Sequence, residues 1–123
     1  METHVGRAIG SLIALAMTAG TAMAEDMPIE AQLSAGALAT GHFERAARQL
    51  NAVPTGGVND AARLINLGNA YAGLGKTSDA RQAYLAAQRA PEAVLQTADG
   101  SEGSSRAIAR RAMDRLEVSF AMR

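Results

Sequence analysis

Catalysis needs side chains that titrate near neutrality or attack an electrophile, and the sequence offers few of them. Histidine occurs only at His4 and His42. His42 follows Gly41 at a turn and has no placed carboxylate or nucleophile to form a pair, so it reads as a surface histidine. Cysteine is absent, which excludes a disulfide framework, a lipid-bearing cysteine and the usual structural zinc site. Ser101, Ser104 and Ser105 cluster without the Gly-x-Ser-x-Gly elbow of a nucleophilic serine, and are expected to cap a helix or solvate a loop. Gly73-Leu74-Gly75-Lys76-Thr77 ends like a phosphate-binding loop. That loop requires an earlier glycine where Ala70 stands, and a preceding strand where the pattern here is helical. No catalytic residue, cofactor or metal is expected, and the chain is read as non-enzymatic.

What remains is a binding or structural role, and composition narrows it. The chain has 123 residues, with 12 Lys and Arg against 12 Asp and Glu. A balanced charge argues against nucleic acid or an anionic membrane as the main partner, because both need a basic surplus to displace counterions. Arg7, the apolar run Ile9–Met17 and the small-x-small site Ala22-Met23-Ala24 are expected to form a signal peptide over residues 1–24, cleaved after Ala24. The run is shorter than the roughly 20 residues of a membrane span, so an uncleaved anchor is the lesser alternative. Export predicts a periplasmic or secreted product with no membrane insertion, comprising residues 25–123.

In that product only Phe43, Tyr71, Tyr84 and Phe120 are aromatic. Its core must therefore rest on alanine and close helix packing. Asp26 before Pro28 signals a helix over residues 28–40, closed by Gly41. Phe43 opens a second helix, stopped by Pro54 and Gly56-Gly57. A third, capped by Asn59 or Asp60, runs from Ala61 to about Leu74 and is closed by Gly75. Thr77 or Ser78 is expected to cap a fourth, which Pro91 limits. Such short turns make each pair an antiparallel hairpin.

The pattern repeats. Adding 34 maps Leu33 onto Leu67, Gly41 onto Gly75, Ala46 onto Ala80, Leu50 onto Tyr84 and Ala52 onto Ala86, the period of tetratricopeptide repeats. Leu67-Gly68, Tyr71, Gly75, Ala80, Tyr84 and Ala87 resemble the tetratricopeptide motif, and Gly41-His42-Phe43-Glu44-Arg45-Ala46 resembles the turn between its two helices. Leu64 sits where that family often has tryptophan. Repeat two spans 61–94 and repeat one spans 27–60, the latter with Ser34 and Ala37 in place of the motif glycine and tyrosine. Gly68 and Ala80 fall where the helices of a hairpin cross, and larger residues there are expected to force them apart.

The period breaks over residues 95–103, where Asp99-Gly100 signals a tight turn and a loop or small hairpin is expected. A capping helix follows over 104–121, started by Ser104 or Ser105, with Ile108, Ala109, Ala112, Met113, Leu116 and Phe120 on one face. The expected fold is all-α, a short right-handed solenoid of two hairpins and a capping helix.

The resemblance implies a concave groove that holds an extended peptide or a partner helix. It places Asn66 and Asn69 on the groove side, where amides that both donate and accept suit peptide backbone. Arg106 and Arg110, one turn apart on the last helix, could pair with a carboxylate. The other reading of these arginines is a solvated face partnered by Asp114 and Glu117. Family members that clamp a carboxylate use lysine and asparagine where this chain has Ala31 and Ala35. The function expected is that of an exported module or scaffold binding a protein or peptide in the cell envelope. The alternative is a structural protein that completes its short array by homo-oligomerisation.

Overall fold

The computed structural model describes residues 14–18, 37–53, 55–56, 60–97 and 100–121. They form a small, mostly helical unit with a β-hairpin before the last helix. In chain order the elements are β1 (Ala14–Thr18), α1 (Phe43–Ala52), α2 (Asp60–Gly73), α3 (Thr77–Arg89), β2 (Val94–Thr97), β3 (Glu102–Ser104) and α4 (Ser105–Ala121). Each helix packs on the next in sequence, and α2 also touches α4.

The chain enters α1 and α3 by the same local structure. Gly41 has φ +81° and Gly75 has φ +77°, a left-handed conformation that costs glycine nothing and ends a helix. At the first turn Gly41 N–H donates to Leu38 O and His42 N–H to Ala37 O; at the second Gly75 N–H donates to Ala72 O and Lys76 N–H to Tyr71 O. His42 and Lys76 then precede their helices with nearly identical dihedrals, φ −87° and ψ 68° against φ −86° and ψ 75°. The next bonds also correspond, Ala46 N–H to His42 O and Ala80 N–H to Lys76 O.

Neither helix has a side-chain cap. This corrects the expected capping of α3 by Thr77 or Ser78: the helix already begins at Thr77, and the flanking residue Lys76 has no short side-chain oxygen to offer. Of the expected helix over 28–40, Ala37–Ala39 is helical and residues 28–36 lie outside the described residues, as do Pro54 and Asn59.

The core is built of small residues, as so few aromatics require. Leu67 and Ala70 of α2 meet Ala46, Ala47 and Leu50 of α1, with Ala37 and Leu38. Ala62 and Ile65 join Ala87, Leu95, Ile108 and Ala109. Ala80, Tyr84 and Ala112 join α3 to α4. Of the face expected on the last helix, Ile108, Ala109 and Ala112 are buried and Met113 and Leu116 half-buried; the Phe120 side chain lies outside the description.

A hairpin forms at the break in the period. β2 pairs antiparallel with β3, Val94 opposite Ser104, Leu95 opposite Gly103 and Gln96 opposite Glu102. Gly100, at φ +89°, donates its N–H to Thr97 O. Ser104 Oγ accepts from the Arg106 and Ala107 N–H groups, which caps α4 as expected. Fully buried Ser105 bonds Ala93 twice, its N–H to Ala93 O at 2.8 Å and its Oγ from Ala93 N–H at 3.0 Å. Ser105→Ala should orphan the Ala93 amide and lower stability by about 1–3 kcal/mol in urea unfolding.

On its other side β2 pairs antiparallel with β1, giving the sheet order β1-β2-β3. Composition predicts a leader where β1 lies. The rest of residues 1–24 falls outside the described residues.

Candidate binding surface

Tyr84 Oη donates to Asn69 Oδ1 at 2.6 Å, tying α3 to α2 in a buried setting. Burial pushes the Tyr84 phenol well above its usual range, and the nearby Arg115 pulls the other way. A raised folded pKa means that the contribution to stability is fully present below the unfolded value of about 10 and is lost as pH rises above it. Unfolding monitored by helical circular dichroism should therefore show falling stability above about pH 10, and Tyr84→Phe should flatten that fall.

Asn69 is thus built into the helix crossing, and Asn66 is more enclosed still. It is fully buried, and neither its amide nitrogen nor its amide oxygen has a hydrogen-bond partner. The expectation of two amides on an open groove is corrected for the described chain. Asn69 turns toward the Tyr84 phenol between the helices, and Asn66 is covered. Beside them Arg63, also buried, holds Asp60 at 2.9 Å, so α2 carries three enclosed polar side chains spaced by three residues. A buried amide with no partner costs free energy that the fold must supply elsewhere.

The arginines lie on the outside. Arg106 reaches Glu92 at 3.2 Å and donates its Nε–H to Gln88 O at 3.2 Å, so it already has a carboxylate partner within the chain. Arg110 is exposed. Glu117, expected on the arginine face, instead pairs with Arg81 of α3 at 2.7 Å. The packed unit brings α2 and α4 together, but it puts the amides inside and the guanidinium heads outside. The four residues do not form one surface.

His42 is exposed, its Nδ1 2.7 Å from Thr40 Oγ1. Among the described residues no group of three or more His, Cys, Asp or Glu is placed to hold a metal ion. Two open crevices lie among the described residues. One of about 440 Å³ lies at the hairpin, lined by Glu92, Ala93, Val94, Glu102, Gly103 and Ser104. In it Ser104 Oγ donates to Glu92, which Arg106 also holds. The other, about 330 Å³, lies at the start of α1 beside Arg45, Arg48 and Leu74. Neither pairs a serine with a histidine.

Comparison of the chain with family models, with curated proteins and with solved structures finds no match to any of them. Among the described residues no helix is long and apolar enough to cross a membrane.

Two features escaped the sequence reading. Gly73 packs against the Phe43 ring, where an added Cβ would lie 2.6 Å from Cε2; a glycine inside a helical pattern signals such an approach. The pairing of β2 with β1 is the other, and Val94-Leu95-Gln96-Thr97, with its β-branched ends, carried that signal.

Proposed function

We propose that the chain is an exported, non-enzymatic helical-repeat protein of tetratricopeptide type that binds another protein or a peptide in the cell envelope. The observation that carries this reading is the pair of equivalent helix junctions. The glycine conformation, both turn hydrogen bonds, the dihedrals at His42 and Lys76 and the first helical bond recur at the repeat offset. Leu50 and Tyr84, and likewise Ala46 and Ala80, stand at that offset and are buried. Such units expose helix faces once stacked, and those faces bind.

A second reading, self-assembly, is favoured by Val118 and Val94, large apolar side chains left 59% and 54% exposed. Sedimentation decides between them. A monomer at tens of micromolar removes self-assembly, and a concentration-dependent oligomer supports it.

Export is tested by mass spectrometry of the periplasmic product, which should begin at Glu25; an intact Met1 would support an anchored chain. Binding is tested by photo-crosslinking from Arg110, which is exposed, in living cells. A discrete adduct to one envelope protein or peptide is expected. No adduct, together with substrate turnover by the purified protein, would overturn the reading.

A further inference from the structure

We propose that the outer edge of β2 and the adjoining side of α2 form an acceptor slot for one extended, uncharged, strand-forming segment of a partner protein. Ala14–Thr18 holds that place in the unprocessed chain. The inference rests on the export reading above and names the site and the kind of partner.

The slot follows from the ladder. Leu95 stands opposite Gly103, and Thr97 N–H donates to Ser101 O, so these residues direct their backbone groups toward β3. In an antiparallel ladder alternate residues point the other way. The N–H and C=O groups of Val94 and Gln96 therefore face outward, to the side where β1 pairs. β1 also lies against α2, so the segment is seated between a sheet edge and a helix.

β1 fits this place imperfectly. Ala14 pairs with Thr97 and Thr18 with Leu95, so four steps along β1 match two along β2, with a register irregularity between them. Such a bulge leaves ladder groups unpaired, and a segment in regular register makes more of the available bonds. The helix against which β1 lies carries Asn66, buried with donor and acceptor both unused, and a primary amide offers the complement of a peptide unit.

Chemistry sets the class of occupant. The segment seated there, Ala-Leu-Ala-Met-Thr, and the strand beside it, Val-Leu-Gln-Thr, carry no charge. Cleavage after Ala24 removes β1 and leaves a bare strand edge, which binds an added strand through main-chain bonds.

The test uses the exported protein with its N-terminus read by mass spectrometry. The probe is a fluorescent peptide of residues 12–20, carrying two terminal lysines for solubility. Saturable binding is expected to a product beginning at Glu25, with slowed hydrogen exchange at the Val94 and Gln96 amides. Gln96→Pro, which removes one outward N–H, should weaken binding at least about tenfold. A product beginning at Glu25 that leaves the peptide free overturns the inference alone. So does binding with unchanged exchange at Val94 and Gln96, a readout that needs no variant. A dimer abolished by Gln96→Pro would assign the edge to a second copy and overturn it as well. A product still beginning at Met1 overturns the export reading and this inference together.

Discussion

Gly68→Leu should overpack the crossing of α2 and α3 and lower stability by about 1–3 kcal/mol, with the loss at the upper end of that range. A Cβ built on Gly68 lies 2.6 Å from Tyr84 Cδ1 and 2.9 Å from Cζ. The ring cannot retreat, because it is only 2% exposed, packs against Ala80 and Ala112, and is held by its hydroxyl to Asn69. Even Gly68→Ala should destabilise, despite the gain of about 1 kcal/mol that alanine brings to a helix interior. Gly73 is the control. Its Cβ would crowd Phe43 to a similar degree, yet that ring is half-exposed and can swing toward solvent. Gly73→Ala should therefore lie within about 1 kcal/mol of the parent. Urea unfolding of the two alanine variants measures the difference. Equal losses would mean that ring mobility does not decide the outcome.

Asn66→Leu should have the opposite sign. Both polar atoms of Asn66 are buried without partners, and replacing them with methyl groups of the same branching removes a desolvation penalty of about 1–3 kcal/mol. Unfolding should shift to higher urea by that amount, less whatever leucine's larger volume costs in packing. The same substitution one turn along should destabilise. Asn69→Leu deprives the Tyr84 phenol of its acceptor inside the core, a loss of about 1–3 kcal/mol. Two asparagines on one helix, changed identically, are thus expected to move stability in opposite directions.

Local chemistry was legible because it is local. The glycines at 41 and 75 marked turns, since only glycine takes a positive φ there without strain. Asp99-Gly100 marked the hairpin, and Ser104 the start of the last helix. The face of Ile108, Ala109 and Ala112 followed from helical period alone. The side-chain caps expected at Thr77 or Ser78 did not form, because backbone bonds from Lys76 O and the turn already organise that junction. The candidate site was less legible. Spacing put Asn66, Asn69, Arg106 and Arg110 on two helices, but spacing is blind to which neighbour covers a face. Arg106 found Glu92, fourteen residues back, and Asn69 found Tyr84, fifteen residues on.

By itself, then, the sequence determined the helices, their turns and an alanine-rich core. Each of these depends on residue type and on neighbours a few positions away. Only the tertiary structure decided which polar groups are enclosed and which strands pair. It sealed Asn66 inside α2's surroundings, made Asn69 a packing partner, left Arg110 in solvent and turned the break in the period into a hairpin flanked by β1. The physical reason is that burial and hydrogen-bond satisfaction belong to pairs of elements distant in the chain, and no periodicity within one element encodes its partner.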